Sequence, residues 1–213
     1  MTNEIKLAVF DLDGTLNQTH LYSVAAGRKA LEEMGQDPGN YTDDQLIACL
    51  GKRGVDYTRE LIPGITDADI AKYLALELEW EKHFITLNAD CYAGIRESLQ
   101  TLRDCGWKTA VCSNSKYSYI DMVLDALGIA PLIDYKQELV DGLTKVGTLG
   151  LLLDRVKPVK AVMVGDRIYD HEAAIGNQIP FVGCAYSYTP HEIRDGEGVA
   201  QSGYELAAII NCL

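Results

Sequence analysis

No hydrophobic run in this chain approaches the roughly 20 residues that a membrane-crossing helix needs; the longest apolar stretches, such as 149–153, fall far short of it. No C-x-x-C pair and no regular spacing relates the cysteines Cys49, Cys91, Cys105, Cys112, Cys184 and Cys212. A disulfide framework or a zinc site is therefore not expected, and reduced thiols fit a cytoplasmic protein. Cations are in short supply: 19 Lys and Arg against 31 Asp and Glu give a formal net charge of −12. A surface of that sign repels nucleic acid and anionic lipid at long range, so neither a nucleic acid nor a membrane is an expected partner, although a local Lys or a bound cation can still hold one anion. Internal repeats, low-complexity tracts and linkers rich in Pro, Gly or Ser are lacking too, as are the basic region and long apolar stretch of a secretory signal at the start.

What is present is an ordinary globular composition, 47% hydrophobic and 23% charged over 213 residues. A chain of this size buries about 70% of its unfolded surface, enough for one full core and a smaller module without a disulfide or metal staple. Four apolar runs, 5–10, 109–112, 161–164 and 181–184, lack the alternation of half-exposed strands and predict strands covered on both faces. A weaker candidate surrounds 133–135. Between them lie helical patterns: Ile95, Leu99 and Leu102; 122–127 ending at Gly128; and Leu149, Leu152, Leu153 and Val156. Strands alternating with helices predict an α/β domain with a parallel, Rossmann-like sheet. Ser202 and Glu205 have the spacing of a capping box, which predicts a final helix carrying Leu206, Ile209 and Ile210.

The rhythm breaks early. Residues 17–88 show helical periodicity and no convincing strand: Leu21, Val24, Leu31 and Met34 fit one face, Leu46, Ile47 and Leu50 a second, and Leu74, Leu78 and the surroundings of Trp80 a third. Structureless connections of that length are uncommon inside compact domains, so the stretch predicts an inserted helical domain. The expected organisation is an α/β core of 1–16 and 89–213 with a helical insertion at 17–88.

In an open parallel sheet, ligands bind beyond the C-terminal ends of the strands. The residues there form one consistent set: Asp11-Leu12-Asp13-Gly14-Thr15 after the first strand, Ser113-Asn114 after the second, and Gly165-Asp166-Arg167-Ile168-Tyr169-Asp170 after a later one. Each piece alone has a bland reading, since Asp-x-Asp-Gly is common in turns, Ser-Asn caps helices and Gly-Asp ends strands. Together they place four carboxylates, Asp11, Asp13, Asp166 and Asp170, and a hydroxyl at one sheet edge. Such a cluster repels itself unless a divalent cation neutralises part of it. Oxygen ligands without thiolate or imidazole point to Mg2+ rather than zinc.

With these motifs in this order, the sequence resembles the haloacid dehalogenase superfamily, and within it the phosphoglycolate phosphatase-like branch. That family carries D-x-D-G-T, a later strand-end Ser or Thr, a Lys, and G-D-x-x-x-D, with a cap domain where this chain has its helical stretch. The resemblance implies a magnesium-dependent phosphatase acting on a small phosphorylated metabolite, possible examples including 2-phosphoglycolate, through an aspartyl-phosphate. Asp11 would be the nucleophile and Asp13 the general acid/base, with Ser113, Asn114 and a Lys binding the phosphoryl group. Asp11, the Asp13 carbonyl and Asp166 would hold the metal, with Asp170 supporting it directly or through water. The second carboxylate, Asp13, favours phosphate ester cleavage over dehalogenation.

The Lys departs from the family pattern. Many members show Lys-Pro there, whereas Lys145 precedes Val146 and the one Lys-Pro in the chain is Lys157-Pro158. Lys145 precedes a helix-length segment before the strand leading to Asp166, while Lys157 falls at that strand's opposite end, so Lys145 is assigned. In the cap, Gly51-Lys52-Arg53-Gly54 offers two cations, Lys52 and Arg53, to an anionic leaving group; they equally suit a helix C-terminus with a glycine stop. A sugar phosphate mutase and a phospho-accepting signalling domain remain alternatives. The first is weakened because no His lies between His20 and His83, the second because it needs neither Asp13 nor the insertion. Monomer and homodimer both stay open.

Overall fold

Leu7, Ala8, Val9 and Phe10 are all fully buried, which is what a strand covered on both faces requires. They lie on β1 (Lys6–Phe10) of a computed structural model that describes residues 4–193 and 198–213. The other strands are β2 (Trp107–Cys112), β3 (Tyr135–Gln137), β4 (Lys160–Gly165), β5 (Phe181–Cys184) and β6 (Gly198–Ala200). All pair in parallel, in the order β3-β2-β1-β4-β5-β6. The chain runs outward from β1 through β2 to β3 and then returns to β4 beside β1, so the order reverses between β1 and β4. Phe10 stands opposite Val111 of β2 and Val164 of β4, and the residues that follow all three strands therefore leave the sheet at one edge.

Two strands differ from expectation. The weak candidate at 133–135 is displaced: Ile133 closes a 3-10 turn at Ala130–Leu132, and β3 begins only at Tyr135. β6 was not anticipated, because of its three residues only Ala200 is buried and so short a run carries no pattern.

Residues Gln18–Asp90 form one compact unit, and the described residues of 1–17 and 91–213 form the other. The first contains α1 (His20–Glu33), α2 (Asp43–Cys49), α3 (Gly54–Leu61) and α4 (Asp67–Asn88). α1 packs on α4: Ala30 and Leu31 share one apolar cluster with Tyr73 of α4, a Cβ on Gly27 would stand 3.3 Å from Tyr73 Oη, and the Ser23 hydroxyl donates to Glu81. Of the predicted face, Val24, Leu31 and Met34 lie on this cluster, while Leu21 is 42% exposed. A capping box of Thr42 and Gln45 starts α2, and the Thr66 hydroxyl accepts from the Asp69 N–H to start α4. Gly51, at φ +78°, follows the end of α2, but Arg53 is the N-cap of α3, so the second cation begins a helix instead of ending one.

In the other unit, α5 (Ile95–Asp104) buries Ile95, Leu99 and Leu102, each contributing roughly 1.5–3 kcal/mol. α6 (Tyr117–Ala126), α7 (Lys145–Val156), α8 (Ile168–Gly176) and α9 (Leu206–Cys212) complete the layers. Leu149, Leu152 and Val156 of α7 and Ala173 and Ala174 of α8 pack on Leu7, Val9 and Met163. The capping box at Ser202 does not form. Its side chain makes no cap bond, a 3-10 turn at Gly203–Glu205 precedes α9, and the Glu205 carboxylate reaches past Ser202 to accept from the Gln201 N–H at 2.9 Å. Among the described residues no helix is long and apolar enough to cross a membrane.

Candidate active site

The loop after β1 is fixed by its own backbone. Asp11 N–H donates to the Val164 carbonyl of β4 at 2.8 Å, and the Leu12 carbonyl accepts from both Leu16 and Asn17. This closes a turn in which Gly14 has φ +84°. A Cβ on Gly14 would stand 2.3 Å from Oδ2 of Asp166, so only glycine lets the first loop pass against the one after β4. The two loops flank the point where the strand order reverses, the place where open parallel sheets bind ligands.

Asp11, Asp166 and Asp170 are buried, and each offers a carboxylate oxygen within 4.8 Å of the others. Lys145, also buried at the start of α7, places Nζ 2.5 Å from Oδ1 of Asp11 and 2.5 Å from Oδ1 of Asp170. Asp170 Oδ2 accepts from the Arg167 N–H at 3.0 Å, which fixes the first turn of α8. Asp166 accepts three hydroxyls: Thr15 on Oδ1 at 3.0 Å, and Ser187 at 2.6 Å and Thr189 at 3.1 Å on Oδ2. Asp13 accepts on Oδ1 from Tyr119 Oη at 2.9 Å and from Asn17 Nδ2 at 3.3 Å.

One ammonium does not balance this many carboxylates. Burial pushes the Asp11 carboxyl well above the usual range, and Asp170, Asp166 and Asp13 add to the shift against the opposing Lys145. Asp166 is pushed up to about 7, first by burial and then by Asp170, with the Ser187 and Thr15 hydroxyls opposing. Burial pulls Lys145 down, but Asp11 and Asp170 outweigh it and hold the ammonium above its ordinary range. The excess negative charge and the all-oxygen donor set fit a hard divalent cation such as Mg2+, held by Asp11, Asp166 and Asp170.

Of the residues named from sequence, Asp11, Asp166, Asp170 and Lys145 thus meet directly, and Asp13 lies in the same loop as Asp11. Ser113 and Asn114 follow β2 at the same sheet edge. The Ser113 N–H donates to the Gln137 carbonyl at 3.1 Å, and its hydroxyl accepts from the Ser115 N–H at 3.1 Å. Lys157 is the left-handed cap residue at the end of α7, φ 52°, at the far end of β4 from Asp166. Lys52 and Arg53 belong to the helical unit, where Lys52 pairs with Glu60 at 2.6 Å and Arg53 Nε lies 3.9 Å from Asp56.

Sequence reasoning missed Tyr119, Ser187 and Thr189. The two hydroxyls follow β5, so the strand-end rule applied once more to 181–184 finds them. Tyr119 sits inside α6 and carried no signal. Tyr186 and Tyr188 are in the same shell: Tyr186 Oη donates to the Thr15 carbonyl at 2.9 Å, and burial raises the Tyr188 phenol well above its ordinary value.

The family model for haloacid dehalogenase-like hydrolases matches residues 8–184. Phosphoglycolate phosphatase from Pseudomonas putida is 27% identical, with 96% of this chain and 78% of that protein aligned. Pyrophosphatase PpaX from Listeria monocytogenes is 26% identical across 94% of this chain and 90% of its own length. Among solved structures, a predicted phosphatase from Clostridium acetobutylicum superposes with a TM-score of 0.87 at 20% identity, covering 99% of this chain and 100% of that one. CbbY from Rhodobacter sphaeroides in complex with phosphate gives a TM-score of 0.83 at 18% identity, covering 97% and 99%. At these identities the structural likenesses speak for the fold.

Proposed function

Because the chain belongs to the haloacid dehalogenase-like hydrolase family and is a phosphoric monoester hydrolase of it, we propose that it hydrolyses a small phosphorylated metabolite with Mg2+, by way of a phosphoryl group carried on Asp11. The observation that carries this reading is the buried cluster of Asp11, Asp166 and Asp170 with Lys145 bridging two of its members. Bound there by Asp11, Asp166, Asp170 and the Asp13 carbonyl, Mg2+ would supply charge stabilisation for the transferring phosphoryl oxygens.

Asp11 attacks phosphorus as the bond to the leaving oxygen breaks, and Asp13 gives that oxygen its proton. Water then attacks the aspartyl-phosphate, Asp13 takes a proton from it, and the Asp11–phosphorus bond breaks to release phosphate. Lys145 holds Asp11 in place and neutralises one charge of the incoming phosphate; Ser113 and Asn114, at the same edge, donate to its oxygens. The helical unit Gln18–Asp90 serves as the specificity cap, with Lys52 and Arg53 offered to an anionic group on the departing part of the substrate. A carboxylate there makes 2-phosphoglycolate the leading substrate, supported by the phosphoglycolate phosphatase relative. The PpaX relative makes pyrophosphate the next compound to test.

The test is phosphate release from p-nitrophenyl phosphate and a panel including 2-phosphoglycolate, pyrophosphate and sugar phosphates. Release with Mg2+, lost on chelation and in Asp11→Asn, is expected. Full activity in Asp11→Asn removes the nucleophile assignment. A long-lived phosphorylated Asp11 without turnover favours a signalling domain, and sugar phosphate isomerisation without free phosphate favours a mutase.

A further inference from the structure

Two donors converge on one oxygen of Asp13. Tyr119 Oη and Asn17 Nδ2 both reach Oδ1, at 2.9 Å and 3.3 Å. Asn17 belongs to the same loop as Asp13, but Tyr119 is brought 106 positions along the chain by α6. The start of α6 is anchored: Tyr117 N–H donates to the Glu138 carboxylate at 2.9 Å, and Tyr119 N–H donates to the Lys116 carbonyl at 3.0 Å. Tyr119 itself is buried, and a tyrosine in a packed turn has few orientations open to it. The phenol hydrogen is therefore delivered from a rigid support to a chosen oxygen of the carboxyl group.

That choice has a chemical consequence. A neutral carboxyl group accepts through its carbonyl oxygen and carries hydrogen on the other. Donors held on Oδ1 therefore orient the whole group for proton transfer. Resting on the reading of Asp13 as general acid/base, we infer that Tyr119 is the positioning residue for Asp13: its hydrogen bond to Oδ1 fixes the plane of the carboxyl group that passes the proton. In the first half-reaction the O–H bond of Asp13 breaks and the proton goes to the leaving oxygen, as the phosphorus bond to that oxygen breaks and the one to Asp11 forms. In the second, the water oxygen bonds to phosphorus, its proton goes to the Asp13 carboxylate, and the bond from phosphorus to Asp11 breaks. Asp13 ends as it began, and Tyr119 keeps its hydrogen throughout.

The experiment compares leaving groups. p-Nitrophenolate departs without needing a proton, whereas an alkoxide does not, so a misplaced general acid harms alkyl phosphates most. The parameter to read is kcat/KM, which spans the steps up to departure of the first leaving group. For Tyr119→Phe we expect a loss of about tenfold or more on glycerol 3-phosphate or 2-phosphoglycolate and under about threefold on p-nitrophenyl phosphate, a part of the roughly 10²-fold or more that a general acid contributes. Mg2+ affinity by calorimetric titration and the melting temperature should match the parent, which separates a lost contact from a damaged fold. Asp13→Asn, run alongside, should show the same selectivity with larger losses. Equal losses on both substrates in Asp13→Asn overturn the acid assignment and the inference with it. Selective losses in Asp13→Asn, with equal losses or none in Tyr119→Phe, leave the acid in place and overturn the role of Tyr119 alone.

Discussion

A methyl group on Gly165 would stand 2.2 Å from Cγ of Asp170 and 2.3 Å from its Oδ2. The last residue of β4 is bare so that the first turn of α8 can fold a carboxylate back over it. No ordinary packing admits such a contact, so Gly165→Ala must displace Asp170, which also breaks its bonds to Lys145 Nζ and the Arg167 N–H. The expected result is a stability loss of about 1–3 kcal/mol, the usual cost of overpacking. It should come with weaker Mg2+ binding and a loss of about 10²-fold in turnover, the scale of a 1 Å misplacement. Calorimetric Mg2+ titration and thermal melting check both parts; unchanged Mg2+ affinity would remove Asp170 from the metal set.

Lys145 couples the first carboxylate to the last. Its removal as Lys145→Met leaves Asp11 and Asp170 buried without their cation, a type of change that costs about 3–5 kcal/mol. A divalent ion that binds only the folded state restores stability in proportion to its occupancy, about 2.7 kcal/mol at a hundredfold excess over Kd. The variant should therefore melt well below the parent in chelator and recover more than the parent does when Mg2+ is added. Equal Mg2+ stabilisation in both proteins would mean that ion and ammonium do not share the same carboxylates.

Three hydroxyls, of Thr15, Ser187 and Thr189, orient Asp166. Partners of this kind behind a metal ligand typically change metal affinity by about 10–100-fold. Ser187→Ala, which removes the 2.6 Å bond to Oδ2, is expected to raise the Mg2+ concentration for half-maximal activity by about tenfold, with turnover at saturating Mg2+ kept within a few fold. A variant that loses turnover at all Mg2+ concentrations would place Ser187 in the chemistry itself.

The strands of the core were readable because burial on both faces leaves unbroken apolar runs such as Val162, Met163 and Val164, and the acidic residues because Asp11 and Asp166 follow their strands directly and Asp13 and Asp170 come within the next few positions. The information lost was of two kinds. Short edge elements, β3 and β6, owe their pairing to neighbours and not to their own pattern, so the first was placed two residues early and the second missed. Contacts set by helix register, above all Tyr119 on Asp13 and Gly27 and Ala30 against Tyr73 of α4, depend on which way a helix is rotated in the folded chain. Val24, Leu31 and Met34 marked the buried face of α1, and Leu21 alone of that stripe turned outward.

That seam between α1 and α4 also holds charge. Tyr73 Oη donates to Glu77 Oε1 at 3.1 Å, and the Ser23 hydroxyl donates to Glu81 Oε1 at 2.5 Å, one helical turn further on. Packing raises the Glu77 carboxyl well above its ordinary value of 4.5, with Glu81 adding to the shift. An acid raised in the folded state is favoured there in its protonated form, so its contribution is complete below the unfolded value and is lost as pH rises toward the folded one, at about 1.4 kcal/mol per unit of difference. The helical unit should therefore weaken as pH rises above the ordinary value of 4.5, the direction opposite to that of an ion-paired carboxylate. Glu77→Gln keeps an acceptor for Tyr73 without the ionisation. Its melting temperature is expected to stay near that of the parent at pH 5 and to exceed it at pH 8. Parallel melting curves across that range would show that Glu77 ionises as readily in the folded chain as in the unfolded one, with water or a neighbouring cation reaching it in the seam.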